Sequence, residues 1–139
     1  MTQAAPLSVF IPGKPAPQGS KRHVGGGVMV ESSKALKPWR QDVRMALLDS
    51  AGQPLARFEG AVLVRADFVM PRPASTPKRV TPPAVKKPDL DKLQRAVFDA
   101  IGSAGVWRDD SQVVRVEASK RLAEIGETGG LHLTVEALG

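Results

Sequence analysis

The chain of 139 residues contains no cysteine, no tyrosine and only two histidines. Without cysteine there can be no disulfide, no thiolate metal site and no thiol nucleophile. Zinc is also left without its usual ligands, because His23 and His132 stand far apart in the sequence. Four Phe and two Trp are too few for a surface on which exposed bases stack. No run of about 18 apolar residues exists to span a membrane, and the opening MTQAAPLSVF lacks the basic region and apolar core of a signal peptide. A soluble cytoplasmic protein with no membrane partner is therefore expected. Its length suits one domain that buries roughly two thirds of its unfolded surface.

What the chain has is positive charge, with a net +6 and a pI of about 10.1. Such a balance suits an anionic partner, and with so few aromatics the DNA backbone is a better fit than exposed bases. Met1 to Leu47 carries Lys14, Lys21, Arg22, Lys34, Lys37, Arg40 and Arg44 against Glu31 and Asp42 alone. Lys14, Lys21 and Arg22 fall in a Gly/Pro-rich stretch, Gly13 to Gly27, that reads as a loop or irregular hairpin, either a phosphate-binding arm or a solvated loop. A second basic run, PRPASTPKRVTPPAVKKP from Pro71 to Pro88, has too many prolines for helix interior or central strand. It reads as a flexible flap presenting Arg72, Lys78, Arg79, Lys86 and Lys87.

Periodicity supplies the remaining elements. Leu7 to Ile11 reads as a short strand. Ser33 to Ala51 reads as a helix with Leu36, Trp39, Val43, Leu47 and Leu48 on its apolar face, Ser32 or Ser33 as N-cap and Gly52 as its end. Ala61 to Met70 alternates as a half-buried strand. Asp89 to Ser103 is the most regular helix, with Leu90, Leu93, Val97, Ala100 and Ile101 buried. Gln112 to Leu122 and Leu131 to Leu138 alternate again. In the first, Val114, Val116 and Ala118 oppose Arg115, Glu117 and Ser119; in the second, Leu133, Val135 and Ala137 point inward. The EIGETGG segment between them suggests an antiparallel hairpin. The order β-α-β-α-β-β predicts an α+β fold, a mixed sheet with helices packed against it.

Five of the eight aspartates lie between Asp89 and Asp110. Pro88 suits a helix entrance, so Asp89 is expected at the N-cap and Asp91 in the first turn, where both residues also have ordinary structural uses. Asp109 and Asp110 stand just before a strand, from which one of them is expected to reach the edge of the sheet beside Asp91. Three carboxylates suit magnesium, with manganese possible, keeping positions for water and substrate phosphate. Such a metal activates water and polarises a phosphodiester. Arg95, one turn beyond Asp91, either balances these charges, stabilises a reacting phosphate or forms a plain helix pair. Asp99 reads as a partner for Arg95.

The stretch PDLDKLQRAVFDAIGSAGVWRDDSQV resembles the signature of the RusA family of Holliday junction resolvases, which are magnesium-dependent endodeoxyribonucleases of bacteria and their phages. DxD, a helix containing FDA, and W-x-DD-x-QV carry the resemblance over about 35 residues. It implies that Asp89, Asp91 and Asp110 are catalytic metal ligands, with Asp109 in support. Arg95 stands where the family usually has lysine, and Lys92 where asparagine is more usual; Lys92 joins the candidate DNA-binding residues. The resemblance further implies a homodimer that resolves a four-way junction by paired phosphodiester hydrolysis. The alternatives are a non-catalytic basic DNA-binding protein with the same fold, and aspartates that only cap helices and turns.

Overall fold

The computed structural model describes residues 5–19, 21–23, 29–31, 34–51 and 57–139. In order, β1 (Leu7–Pro12), β2 (Lys21–His23), β3 (Met29–Glu31), α1 (Leu36–Ala51), β4 (Val62–Met70), α2 (Leu90–Ser103), a 3-10 turn (Asp110–Gln112), β5 (Val113–Leu122) and β6 (Gly130–Ala137) follow one another. β2, within the Gly13–Gly27 stretch, pairs antiparallel with β3, which lies just beyond it. The expected caps Ser32, Ser33 and Gly52 lie outside the described residues.

The main sheet is mixed, in the order β1-β6-β4-β5. Both helices lie on one of its faces. Leu36, Trp39, Val43 and Leu47 of α1 and Leu93, Ala96, Val97, Ala100 and Ile101 of α2 pack with Val62, Val64, Ala66, Phe68 and Met70 of β4. Leu131, Leu133 and Val135 of β6 complete that core. The α+β class and the helix-against-sheet arrangement agree with the sequence pattern.

The expected terminal hairpin does not form. β5 pairs parallel with β4, while β6 pairs antiparallel with both β4 and β1. The reason lies in β4, where Leu63 and Val69 are buried as well as the core-facing residues. On this second face they flank the ion-paired Arg65 and Asp67, and a strand with burial on both faces suits the inside of a sheet with a neighbour on each side. β5, mostly exposed, takes the edge. Its Val116 does share the helix-side face with Val64 and Ala66, but at the edge it stays 39% exposed, and Val114, beside a register shift, 64%. The segment read as a hairpin turn instead carries the chain across the end of β4. Ala123 N–H donates to the Met70 carbonyl at 2.9 Å, and Arg121 grips Glu127 through two bonds of 2.7 and 2.8 Å. At Gly130 (φ +155°) a Cβ would collide with the Ile11 carbonyl and the Phe10 ring, so glycine opens the slot between β1 and β4.

The Pro71–Pro88 segment, read as a flap, forms no helix or strand and makes several contacts with itself and with β5. Arg72 donates to Thr81 Oγ1 and to the carbonyls of Ala123, Pro77 and Val80. Thr81 donates in turn to Glu124 at 2.8 Å, and Pro83 bridges to Arg121 on β5. Arg72, a candidate phosphate ligand, braces this segment through four donor contacts inside the protein.

Candidate active site

The α2 helix and its two flanks position every acidic candidate. Asp89 is the N-cap, in extended conformation (φ −72°, ψ 143°), and its side chain makes no capping bond. Asp91 follows in the first turn and is exposed. Its carboxylate caps no backbone group and, among the described residues, pairs with Lys92 Nζ at 3.8 Å from Oδ2. Lys120 of β5 fixes this entrance from the sheet by donating to the Lys86 and Pro88 carbonyls at 2.9 and 2.8 Å. The two bonds hold the backbone on which Asp89 sits. No local sequence pattern announces Lys120, because its partners lie more than thirty residues away.

Lys14, Arg72, Lys86 and Lys87 border one cleft of about 580 Å³ beside this helix start, lined also by prolines, Ser75, Thr76, Met70, Ala84, Val85 and Leu122. Lys78 and Arg79 are exposed on the same segment. Lys21 and Arg22 belong to β2, and their side chains lie outside the described residues. On the opposite flank the Lys92 carbonyl accepts from Gln18 N–H at 3.0 Å. Gly19 passes Arg95 so closely that a Cβ there would sit 3.0 Å from the guanidinium. Arg95 is exposed and forms no ion pair among the described residues. The expected Arg95–Asp99 pair is replaced by one between Asp99 and Arg40 of α1, at 3.6 Å.

The second acidic pair has a different setting. Asp109 caps the 3-10 turn: its carboxylate accepts from Ser111 N–H at 2.9 Å, while the Gln112 side-chain carbonyl accepts from Asp109 N–H at 3.0 Å and Arg108 N–H at 2.7 Å. The Ser111 bond holds the Asp109 carboxyl below its ordinary range. Gln112 also donates to the carbonyls of Phe58 and Gly60. The reciprocal D-x-x-Q box is a capping signature already present in the sequence, in keeping with the reading in which aspartates cap helices and turns. Asp109 is therefore a structural support for the turn that presents Asp110, which is itself exposed. Gln112→Ala is expected to cost about 1–3 kcal/mol, since it strips four bonded groups of their partner. Urea unfolding measures it, and an unchanged midpoint would remove the clamp from this account.

One chain does not bring the two pairs together. Because α2 returns from the end of β4 to the beginning of β5, Asp89 and Asp91 sit at one end of the helix and Asp110 at the other. Val106 N–H bonds to Ile101 and Phe58 N–H to Val106, tying the Asp110 turn to the α2 carboxyl end. At about 1.5 Å per residue, roughly 18 Å of helix separates Asp91 from Ser103. Accordingly, among the described residues no three His, Asp or Glu side chains are placed to share a metal ion. The expectation of Asp110 beside Asp91 had treated the loop after α2 as returning to the helix start; a parallel β4-α2-β5 crossover delivers it to the far end.

The fold and site define an α+β domain with exposed carboxylates at both ends of one helix, set among lysines and arginines. The match with known sequences names it further. The family model described as Endodeoxyribonuclease RusA matches residues 12–136, and the chain belongs to that family. It is 44% identical over 57 residues to the crossover junction endodeoxyribonuclease RusA of Escherichia coli strain K12, covering 41% of this chain and 46% of that protein. The protein of the same name from Enterobacteria phage 82 gives the same identity and coverage. That of Escherichia coli O139:H28 (strain E24377A / ETEC) is 47% identical over 51 residues, 37% of this chain and 41% of that protein. The aligned stretch thus spans about half the length of these curated relatives. No described helix is long and apolar enough to cross a membrane.

Proposed function

We propose that this chain is a magnesium-dependent endodeoxyribonuclease that cuts four-way DNA junctions as a homodimer in the bacterial cytoplasm, whether encoded by a bacterium or by a phage. The observation that carries this reading is the uncapped, exposed Asp89 at the start of the helix whose first turn holds Asp91, next in sequence to Pro88 of the lysine-bordered cleft, in a chain of the RusA family. A protein that only bound phosphate would gain nothing by placing exposed carboxylates there.

The donor set fits a hard divalent cation. Magnesium takes one or two protein carboxylates and leaves its other positions to water and substrate phosphate; Asp89 and Asp91 are such a pair. When bound, the cation supplies Lewis-acid charge at the scissile phosphate. The chain's own groups do the rest. Lys14, Lys86 and Lys87 hold the backbone in the cleft, and Lys120 keeps the Asp89 segment from shifting away from it. Arg95, one helical turn past Asp91, offers a planar guanidinium to the phosphoryl oxygens as charge gathers on them. Arginine in place of lysine keeps the charge and adds a bidentate geometry.

Asp110 enters this reading through the dimer. Each chain carries the two acidic ends of α2 about a helix length apart, so a second copy related by a two-fold axis can set its Asp110 against the first copy's Asp89 and Asp91, and the reverse. Two equivalent sites also suit the approximate two-fold symmetry of a four-way junction. The direct test is cleavage of a four-way junction, a flap and a linear duplex, each with and without magnesium. Paired nicks in the junction that depend on the metal are expected. Junction binding without cleavage under every metal condition would return the chain to a DNA-binding role.

A further inference from the structure

We propose that the groove between α1 and α2 is a track for the phosphate backbone of a duplex DNA arm, with Asp99 a built-in counter-charge that keeps the contact reversible. The inference rests on the endonuclease reading and adds to it a second contact surface, away from the lysine cleft.

The groove, about 440 Å³, is lined by Lys37, Arg40, Gln41, Arg44, Asp99 and Ser103, with Ala100 at its floor. Lys37, Arg40 and Arg44 recur at three- and four-residue spacing, which sets them on one face of α1. From Lys37 to Arg44 the helix rises roughly 10 Å, close to three phosphate-to-phosphate steps along the axis of one DNA strand. Three cations thus meet one carboxylate, at a spacing that a backbone can follow.

The direction of the groove matters as much as its charge. β1 and β4 run parallel, both being antiparallel to β6, and the contacts of Arg40 with Asp99 and of Arg44 with Ser103 advance together along the two helices, so α1 and α2 run side by side in the same sense. Arg40 reaches Asp99, and Arg44 Nε reaches the Ser103 carbonyl at 3.5 Å. Lys37 therefore lies toward the α2 start with Asp91, and Arg44 toward the end that adjoins Asp110. Arg95, one turn before Asp99, extends the cationic row toward Asp91. A strand laid in the groove runs along α2 between the two acidic ends.

Asp99 fits this role through the weakness of its pairing. The Arg40 contact is long, at 3.6 Å, and both side chains are partly exposed, 32% and 41%; the accompanying bond from Arg40 to Gln18 Oε1 is also long, at 3.4 Å. Such a pair contributes little to folding and yields readily to a phosphate. A purely structural account, in which Arg44 only complements the α2 carboxyl end, gives Lys37 no role and leaves DNA affinity untouched.

The test is fluorescence anisotropy with a labelled four-way junction and a linear duplex over a potassium chloride series. It uses the full chain, Lys37→Ala/Arg44→Ala, Asp99→Asn and, for comparison, Lys86→Ala/Lys87→Ala, with circular dichroism to confirm folding. The groove double variant is expected to bind both DNAs roughly tenfold more weakly and to lose about two units of the log-log salt slope, near 0.9 per phosphate contact. Asp99→Asn is expected to bind several-fold more tightly, because it frees Arg40; weaker binding by that variant would overturn the counter-charge role. If the unaltered chain binds DNA and the groove variant keeps its slope, the track is overturned while the endonuclease reading stands. If the unaltered chain binds no DNA at all, both fall.

Discussion

Asp91→Asn is expected to abolish junction cleavage in magnesium while leaving junction binding as tight as before, or tighter. The carboxylate is exposed in the first turn of α2, and its loss disturbs no described hydrogen bond. The folded structure should therefore survive, minus a small favourable interaction with the helix dipole. Catalysis has no such margin. Asparagine keeps the shape and one neutral oxygen, but not the charge that holds a hard cation against its water shell. Loss of several kcal/mol of charge stabilisation at the transition state corresponds to roughly a thousandfold or more in rate. Binding moves the other way, since one negative charge leaves a surface that faces phosphate. Single-turnover cleavage and anisotropy on the same preparation separate the two effects. Magnesium-dependent cleavage at the full rate would show that the chemistry lies elsewhere.

How far the sequence reached depends on the range of the interactions involved. Local patterns were sufficient for both helices, the apolar stripe of α2, the Asp89 cap and the class of fold, because each follows from neighbours within one or two turns. Strand order was not legible, because β4 and β5 have similar alternation, and only burial of both Leu63 and Val69 reveals which is central. Arg72 illustrates the same limit. In sequence it is one more cation in a proline-rich basic run, yet its partners at Pro77, Val80, Thr81 and Ala123 make it the brace of that run. Asp99 was assigned to the nearest cation on its own helix, whereas packing of α1 against α2 brings Arg40 closer. For the site, the identity of the acidic residues was readable and their arrangement was not. Spacing along a chain says nothing about which end of a crossover helix a loop returns to.

That arrangement leads to the second large effect, an expected rescue. Asp91→Asn and Asp110→Asn, each inactive alone, should recover junction nicking when their subunits are mixed and allowed to exchange. If Asp110 of the partner subunit completes the site of Asp89 and Asp91, a mixed dimer has one site with both defects and one with none. Random exchange makes half of the dimers mixed, so about a quarter of the sites should be intact. Those dimers can cut only one strand at a junction, which leaves a nicked product on a denaturing gel in place of paired incisions. If all the carboxylates of a site came from one chain, every site in the mixture would hold a defect and no activity would return. Should Asp110→Asn cleave normally by itself, Asp110 is not part of the chemistry, and the separation of the two pairs along α2 needs no second subunit to explain it. The experiment reads the topology of the crossover directly, because the helix that sets Asp91 and Asp110 apart within one chain is what makes complementation possible between two.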